Sequence, residues 1–216
     1  VTQQQAARTY ADHVLAYAEA GWPCILPVPP ATKTPPPVGF TGAEGRDTDP
    51  LTLVQLAGDM PHHSIALRMP DGVIGIDVDQ YVKHGTQKHG AETLAAFVER
   101  WGPLPATWTS TAREPDGPSR IHLFRVPAQR YGTKLGTGAT GDIEIIQRHH
   151  RYAVVWPSPH ESGGIYTWYA PTGRPSARPP RPQELAELPA AWVEGLAATA
   201  ATAAAASSDV YSGEAL

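Results

Sequence analysis

The chain is predicted to fold as an α+β domain with a mixed, mostly antiparallel sheet flanked by helices. Short apolar or alternating runs recur at 64–69, 73–79, 120–126, 142–147, 152–156 and 165–169, the length and pattern of strands. Apolar residues at helical spacing appear at 6–20, 51–57 and 91–101. Twenty glycines and 23 prolines among 216 residues demand many turns and long connections. A chain of this length buries a sizeable core.

Each element has a local reason. Residues 6–20 place Tyr10, Val14, Tyr17 and Ala18 on one helical face, and Gly21 is suited to end the helix. Trp22 to Val28 reads as a short buried strand, and the Pro-, Gly- and Thr-rich stretch 29–47 reads as a loop carrying Lys33. Asp49-Pro50 is a helix start, with Asp as cap and Pro in the first turn. Ser64 to Met69 and Val73 to Asp79, joined by Pro70-Asp71-Gly72, are expected to pair as a β-hairpin. Ala91 to Trp101 reads as a helix burying Leu94, Phe97, Val98 and Trp101. Arg120 to Val126 follows as a strand with His122, Phe124 and Val126 on one face. Beyond a Pro/Arg linker from Gly173, a helix is expected over Glu184 to Leu196, and the Ala/Thr/Ser stretch 197–208 lacks a packing face. The expected organisation is a main domain over 1–172, a linker and packed helix over 173–196, and an Ala-rich tail over 197–216 leading to a further domain.

Composition excludes several classes. The single cysteine, Cys24, rules out an intramolecular disulfide and a CxxC zinc site, and its apolar surroundings suggest a buried thiol. No run is long and apolar enough for a membrane span, and no secretion signal is evident, so a cytoplasmic protein is expected. The formal charge of −4 gives no global sign of nucleic-acid binding. Locally, however, Arg113, Arg120, Arg125, Arg130, Lys134, Arg148 and Arg151 outnumber Glu114, Asp116, Asp142 and Glu144.

The strongest chemical signal is Val73 to Asp79. An apolar strand there ends in Asp77 and Asp79, which project to the same side. Side-by-side carboxylates repel and call for a cation, and a hard divalent ion suits two carboxylates plus substrate phosphates. A polar strand edge is the plainer alternative. A second acidic strand, Asp142 to Ile146, offers either Glu144 or Asp142 as a third carboxylate. His62-His63 and His149-His150 read as exposed polar pairs, since neighbours on a strand point apart.

The order of these pieces resembles the primase-polymerase (prim-pol) domain of the archaeo-eukaryotic primase superfamily, of the phage and plasmid replication type. The resemblance runs from Tyr10 to Trp192. It rests on GWPCILPV with Lys33 after it, on GIDVD, on SRIHLFRVP and on DIEII. It continues through RYAVVWPSPHESGGIYTW to LPAAW. It implies the superfamily's RRM-like catalytic core and the cytoplasm of a bacterial host. It also implies that Asp77, Asp79 and Glu144 hold Mg²⁺ or Mn²⁺, with Asp142 the rival third ligand. His122, Arg120, Ser119, Lys33, Ser158 and His160 would meet the nucleoside triphosphate. Arg113, Arg125, Arg148 and Arg151 would grip a single-stranded DNA template and primer. Two departures stand out. Arg120 occupies a position that is usually small or a serine, with Ser119 displaced by one, and a basic turn follows Glu144.

The expected activity is template-directed DNA priming and extension by a two-metal mechanism, with a helicase domain following in the full-length protein. The alternatives are a two-metal nuclease using the same acids and a non-catalytic single-stranded DNA-binding module.

Overall fold

The computed structural model describes residues 7–83, 85–136 and 142–212. The last glycines of the 131–141 stretch lie outside the described residues.

Helix α1 (Thr9–Glu19) buries Tyr10, Val14 and Tyr17, and the Tyr10 hydroxyl donates to the carbonyl of Ile25 at 2.8 Å. Strand β1 (Ile25–Val28) is buried throughout. Helix α2 (Pro50–Asp59) starts as the sequence implies: the Asp49 carboxylate accepts from the Thr52 amide at 2.8 Å, with Pro50 in the first turn.

The strands form two main sheets. In the smaller, β2 (Ser64–Leu67) lies between β1 and β10 (Ala153–Val155), all antiparallel. In the larger, β3 (Val73–Val78) is central, between β7 (Arg120–Arg125) and β9 (Ile143–Ile146). Outward from β7 come β6 (Thr109–Thr111), β11 (Thr167–Tyr169) and β12 (Pro175–Ser176); outward from β9 comes β8 (Lys134–Leu135). Strand β13 (Ala186–Glu187) pairs parallel to β7, whereas the other pairings among the described residues are antiparallel. A small separate hairpin joins β4 (Val82–Lys83) to β5 (Thr86–Gln87).

The expected hairpin between residues 64–69 and 73–79 does not form. Both runs are apolar enough to sit in sheet interiors, so each takes a partner on either side, which a two-stranded hairpin cannot supply. The Pro70–Asp71–Gly72 turn instead carries the chain from one sheet to the other, with Gly72 at φ +81°.

Alternation along β3 sorts the core. Val73 packs with Ile121, Leu123, Ile146 and Trp168 against α1 and α2. Ile74, Ile76 and Val78 face the other way, joining Phe124, Ile143 and Ile145 under α3 (Gly90–Trp101) and α4 (Ala190–Ser212). Trp192 is fully buried there, stacked edge-on against Trp101 at 5.1 Å, and its indole N–H donates to the Gly102 carbonyl at 2.8 Å. Replacing such a side chain by Ala costs about 3–5 kcal/mol.

The helix expected from Glu184 begins later. A single 3-10 turn (Pro182–Glu184) and β13 precede it, because Ala186 and Glu187 run alongside β7. Helix α4 then continues through the Ala-rich stretch to Ser212. No helix among the described residues is long and apolar enough to cross a membrane.

Candidate active site

The exit of β3 sets the site. Asp77 lies opposite Glu144 on β9 and opposite Ile121 on β7, so these side chains share one face of the sheet. The row continues outward to Ser110 on β6 and to Lys134 on β8. Asp79 follows one residue beyond the strand. Asp77, Asp79 and Glu144 are half-buried, so their charges meet in a partly desolvated space.

Burial pushes the Asp77 carboxyl up to about 7, and the Asp79 and Glu144 charges add to the push while Lys33 opposes it. Asp79 is also raised by burial, against the pull of Lys33 and a hydrogen bond from Tyr81. The cavity over Asp77 and Asp79 is also lined by Lys33, Tyr81, Ser110, Arg113, His160 and Tyr166. The Arg113 guanidinium lies over the Tyr81 ring at 3.7 Å from its centroid. Two larger cavities of about 650 and 490 Å³ both include Tyr81 and Arg113 in their walls.

Burial pushes His160 below its ordinary imidazole value, and the nearby Arg113 and Lys33 charges push the same way. Its Nδ1 accepts from the Ser162 amide at 3.1 Å, so the ring proton sits on Nε2. The imidazole thus offers a donor to an anionic ligand in the cavity.

The other predicted residues are placed differently. His122 pairs with Ile76 and Thr109, which puts it on the reverse face of the sheet from Asp77. The face that carries His122, Phe124 and Val126 is thus the one turned away from Asp77: counting by two from Asp77's neighbour Ile121 reaches Ser119, not His122. The Arg120 guanidinium donates to the carbonyls of Gly117 (2.7 and 3.0 Å) and Pro115, bracing the 112–118 loop. The Ser158 hydroxyl is fully buried, accepting from the Ile65 amide at 2.8 Å, so it braces β2 rather than reaching the cavity. Ser119 lines the cavity, but its hydroxyl is engaged by the backbone of Gln80.

Among the arginines expected to grip DNA, only Arg113 lines the cavity over the acids. Arg125 lies opposite Val73, four residues from Asp77 along the strand, and pairs with Glu187 at 2.9 Å. Arg148 pairs with Asp47 at 3.1 Å and approaches Asp71 at 3.5 Å. With Arg68, it ties the 42–47 loop to the turn after β9. Arg151 reaches the site, with Nε 3.1 Å from Glu144.

Glu144 and Asp142 now have distinct places. The Asp142 carboxylate is buried and accepts from Lys88 Nζ at 2.7 Å and the His89 amide at 2.6 Å. Glu144 shares the Asp77 row. No three metal-ligating side chains converge among the described residues, and Glu144 is paired with Arg151. The donor set nevertheless fits a hard divalent cation: Asp77 and Asp79 crowd like charges, and the buried Ser110 hydroxyl, two strands away in the same cavity lining, lacks a partner.

Sequence reasoning missed Tyr81, Ser110 and Tyr166 as cavity residues. The signal for Tyr81 was its place two residues beyond Asp79. Ser110 carried none, because only the sheet order brings β6 into the Asp77 row.

The fold and site define an α+β enzyme core with a carboxylate-centred, cation-lined cleft. A family model described as "Bifunctional DNA primase/polymerase, N-terminal" matches residues 14–191, and the chain belongs to this Prim-Pol family. Family membership makes it a nucleotidyltransferase-type enzyme of DNA primase/polymerase activity that handles DNA and nucleotides. Searches of curated proteins and of solved structures gave no significant match.

Proposed function

We propose that this domain performs template-directed DNA synthesis, both priming and extension, at the cleft over Asp77, Asp79 and Glu144. The observation that carries the reading is the row placing Glu144 beside Asp77, with Asp79 one step beyond, facing Lys33, Arg113 and His160.

In the reaction a 3′-oxygen attacks the α-phosphorus, the bond to the β-phosphate oxygen breaks, and pyrophosphate leaves. Asp77 and Asp79, with Glu144 as third ligand, would hold Mg²⁺ or Mn²⁺. Bound there, the ions supply charge stabilisation for the attacking and leaving oxygens. The chain's own groups do the rest. Strand β3 fixes the acid pair on a rigid element, which limits misplacement of the reacting atoms. Lys33 and Arg113 present positive charge on the opposite wall, matched to a polyphosphate. His160 offers its Nε2–H to a phosphate oxygen. The Tyr81–Arg113 stack contributes to the walls of both larger cavities. Arg151 at the rim faces a template phosphate, and such contacts weaken with salt.

The test is incubation with a single-stranded template, Mn²⁺ and labelled nucleotides, with and without a primer. Extension and primer products are expected, and Asp77→Asn or Asp79→Asn should lower the rate more than about 100-fold while DNA binding persists. Shortened DNA would assign a nuclease, and a gel shift without turnover would assign a binding module; either overturns the proposal.

A further inference from the structure

Residues 79 and 80 leave the central strand, yet every backbone polar group they carry is tied. The Asp79 amide donates to the Asp142 carbonyl at 2.9 Å, and the Asp79 carbonyl accepts from the Gly90 amide at 2.8 Å. The Gln80 amide donates to Ser119 Oγ at 2.9 Å, and that hydroxyl donates back to the Gln80 carbonyl at 3.0 Å. The Gln80 side-chain oxygen accepts from the Ala91 amide at 2.9 Å, joining the first turn of α3.

The second layer of this arrangement is charged. The Asp142 carboxylate draws in both Lys88 and the His89 amide, which seats the residues leading into α3 against the carboxylate strand. Burial opposes ionisation of Asp142, but the Lys88 and His89 hydrogen bonds prevail and hold it below the usual carboxylate range. The approach is close: a Cβ on Gly90 would fall 2.5 Å from the Asp79 carbonyl oxygen and 2.9 Å from that of Asp142. Glycine there is required by contact, not by a turn.

We propose that Asp142 and Ser119 are positioning residues that clamp the Asp79–Gln80 backbone and thereby aim the Asp79 carboxylate into the cleft. The role rests on the reading of Asp77 and Asp79 as cation ligands. It gives Asp142 work other than ligation and leaves Glu144 as the third acid. It also gives Ser119 a task that uses its single proton away from the nucleotide. The physical case is that a ligand must be held within about 0.5 Å of its productive place, whereas a strand end without such ties frays.

The test compares wild type with Ser119→Ala, Ser119→Thr and Asp142→Asn, with Asp77→Asn as the direct-ligand reference. Mn²⁺ binding is read by electron paramagnetic resonance of the free ion, and amide exchange is followed over 79–90. Ser119→Ala and Asp142→Asn should each weaken Mn²⁺ binding by about tenfold, in the range seen for groups that orient ligands, and should speed exchange at 79–90. Ser119→Thr, which keeps the hydroxyl, should restore both. Lower melting temperatures with unchanged Mn²⁺ affinity would make the contacts merely structural and overturn the proposal. If Asp142→Asn fails to fold, the serine pair decides alone. If wild type binds no Mn²⁺, the cation-site reading falls. Unaltered exchange at 79–90 in Ser119→Ala would remove the clamp independently.

Discussion

Arg151 holds Glu144 through a two-point contact, Nε to Oε2 at 3.1 Å and a terminal guanidinium nitrogen to Oε1 at 3.3 Å. The carboxylate that stands opposite Asp77 is therefore occupied by a side chain from the turn after its own strand. A cation entering the cleft must share Glu144 with this guanidinium or displace it.

That competition predicts a gain of affinity on removing the arginine. The Arg151 side chain is 60% exposed, so the pair is worth only about 0.2–1 kcal/mol. Arg151→Gln should tighten Mn²⁺ binding by up to about fivefold, read by titration calorimetry. Unchanged affinity would show that Glu144 takes no part in holding the ion.

Arg113 predicts a split between binding and turnover. Its guanidinium is planar over Tyr81, and a lysine keeps the charge but not the stack. A cation–π contact of about 0.5–2 kcal/mol corresponds to about 2- to 30-fold, so Arg113→Lys should raise KM for the nucleotide within that range. Steady-state primer extension checks this, and kcat should change little. A fall in kcat with KM unchanged would place Arg113 at the reacting phosphate instead of the cavity wall.

The legible parts of the fold were those fixed by neighbours in sequence. The Asp49-Pro50 start of α2, the helix ending at Trp101 and the placing of Asp77 and Asp79 on the face opposite a buried Ile76 all follow from local chemistry. Pairing did not follow, because β2 and β3 are each buried along nearly their whole length and periodicity does not name the partner. The same gap misplaced His122. Its strand was recognised, but only the register with Ile76 fixes which face it takes. Likewise Arg125 and Arg148 read as free cations until Glu187 and Asp47, 62 and 101 residues away, were brought beside them. Of the acids, spacing alone left Asp142 and Glu144 equal; the difference lies in Lys88 and His89, which reach Asp142 from an adjoining connection.

His122 carries the last prediction, and it separates a core histidine from a phosphate ligand. Burial first, and the Arg120 charge second, hold its imidazole down to about 4, below its ordinary 6.5. Between those values the unfolded chain binds a proton that the folded chain refuses, so stability rises with pH across the window. The contribution is complete above about pH 6.5 and is lost as pH falls toward 4, amounting to about 3 kcal/mol at most. Asp77, raised to about 7, acts in the opposite sense over the same window, so the effect is read as a difference. Urea unfolding at pH 4.5 and 7 should give a pH-dependent change in stability that differs between wild type and His122→Gln by up to about 3 kcal/mol. The same variant should keep primer extension at pH 7.5 within about threefold of wild type, because a side chain on the α3–α4 face cannot reach a triphosphate lying over Asp77. A loss as deep as that of Asp77→Asn, with folding intact, would return His122 to the nucleotide site and require β7 to shift its register by one residue against β3.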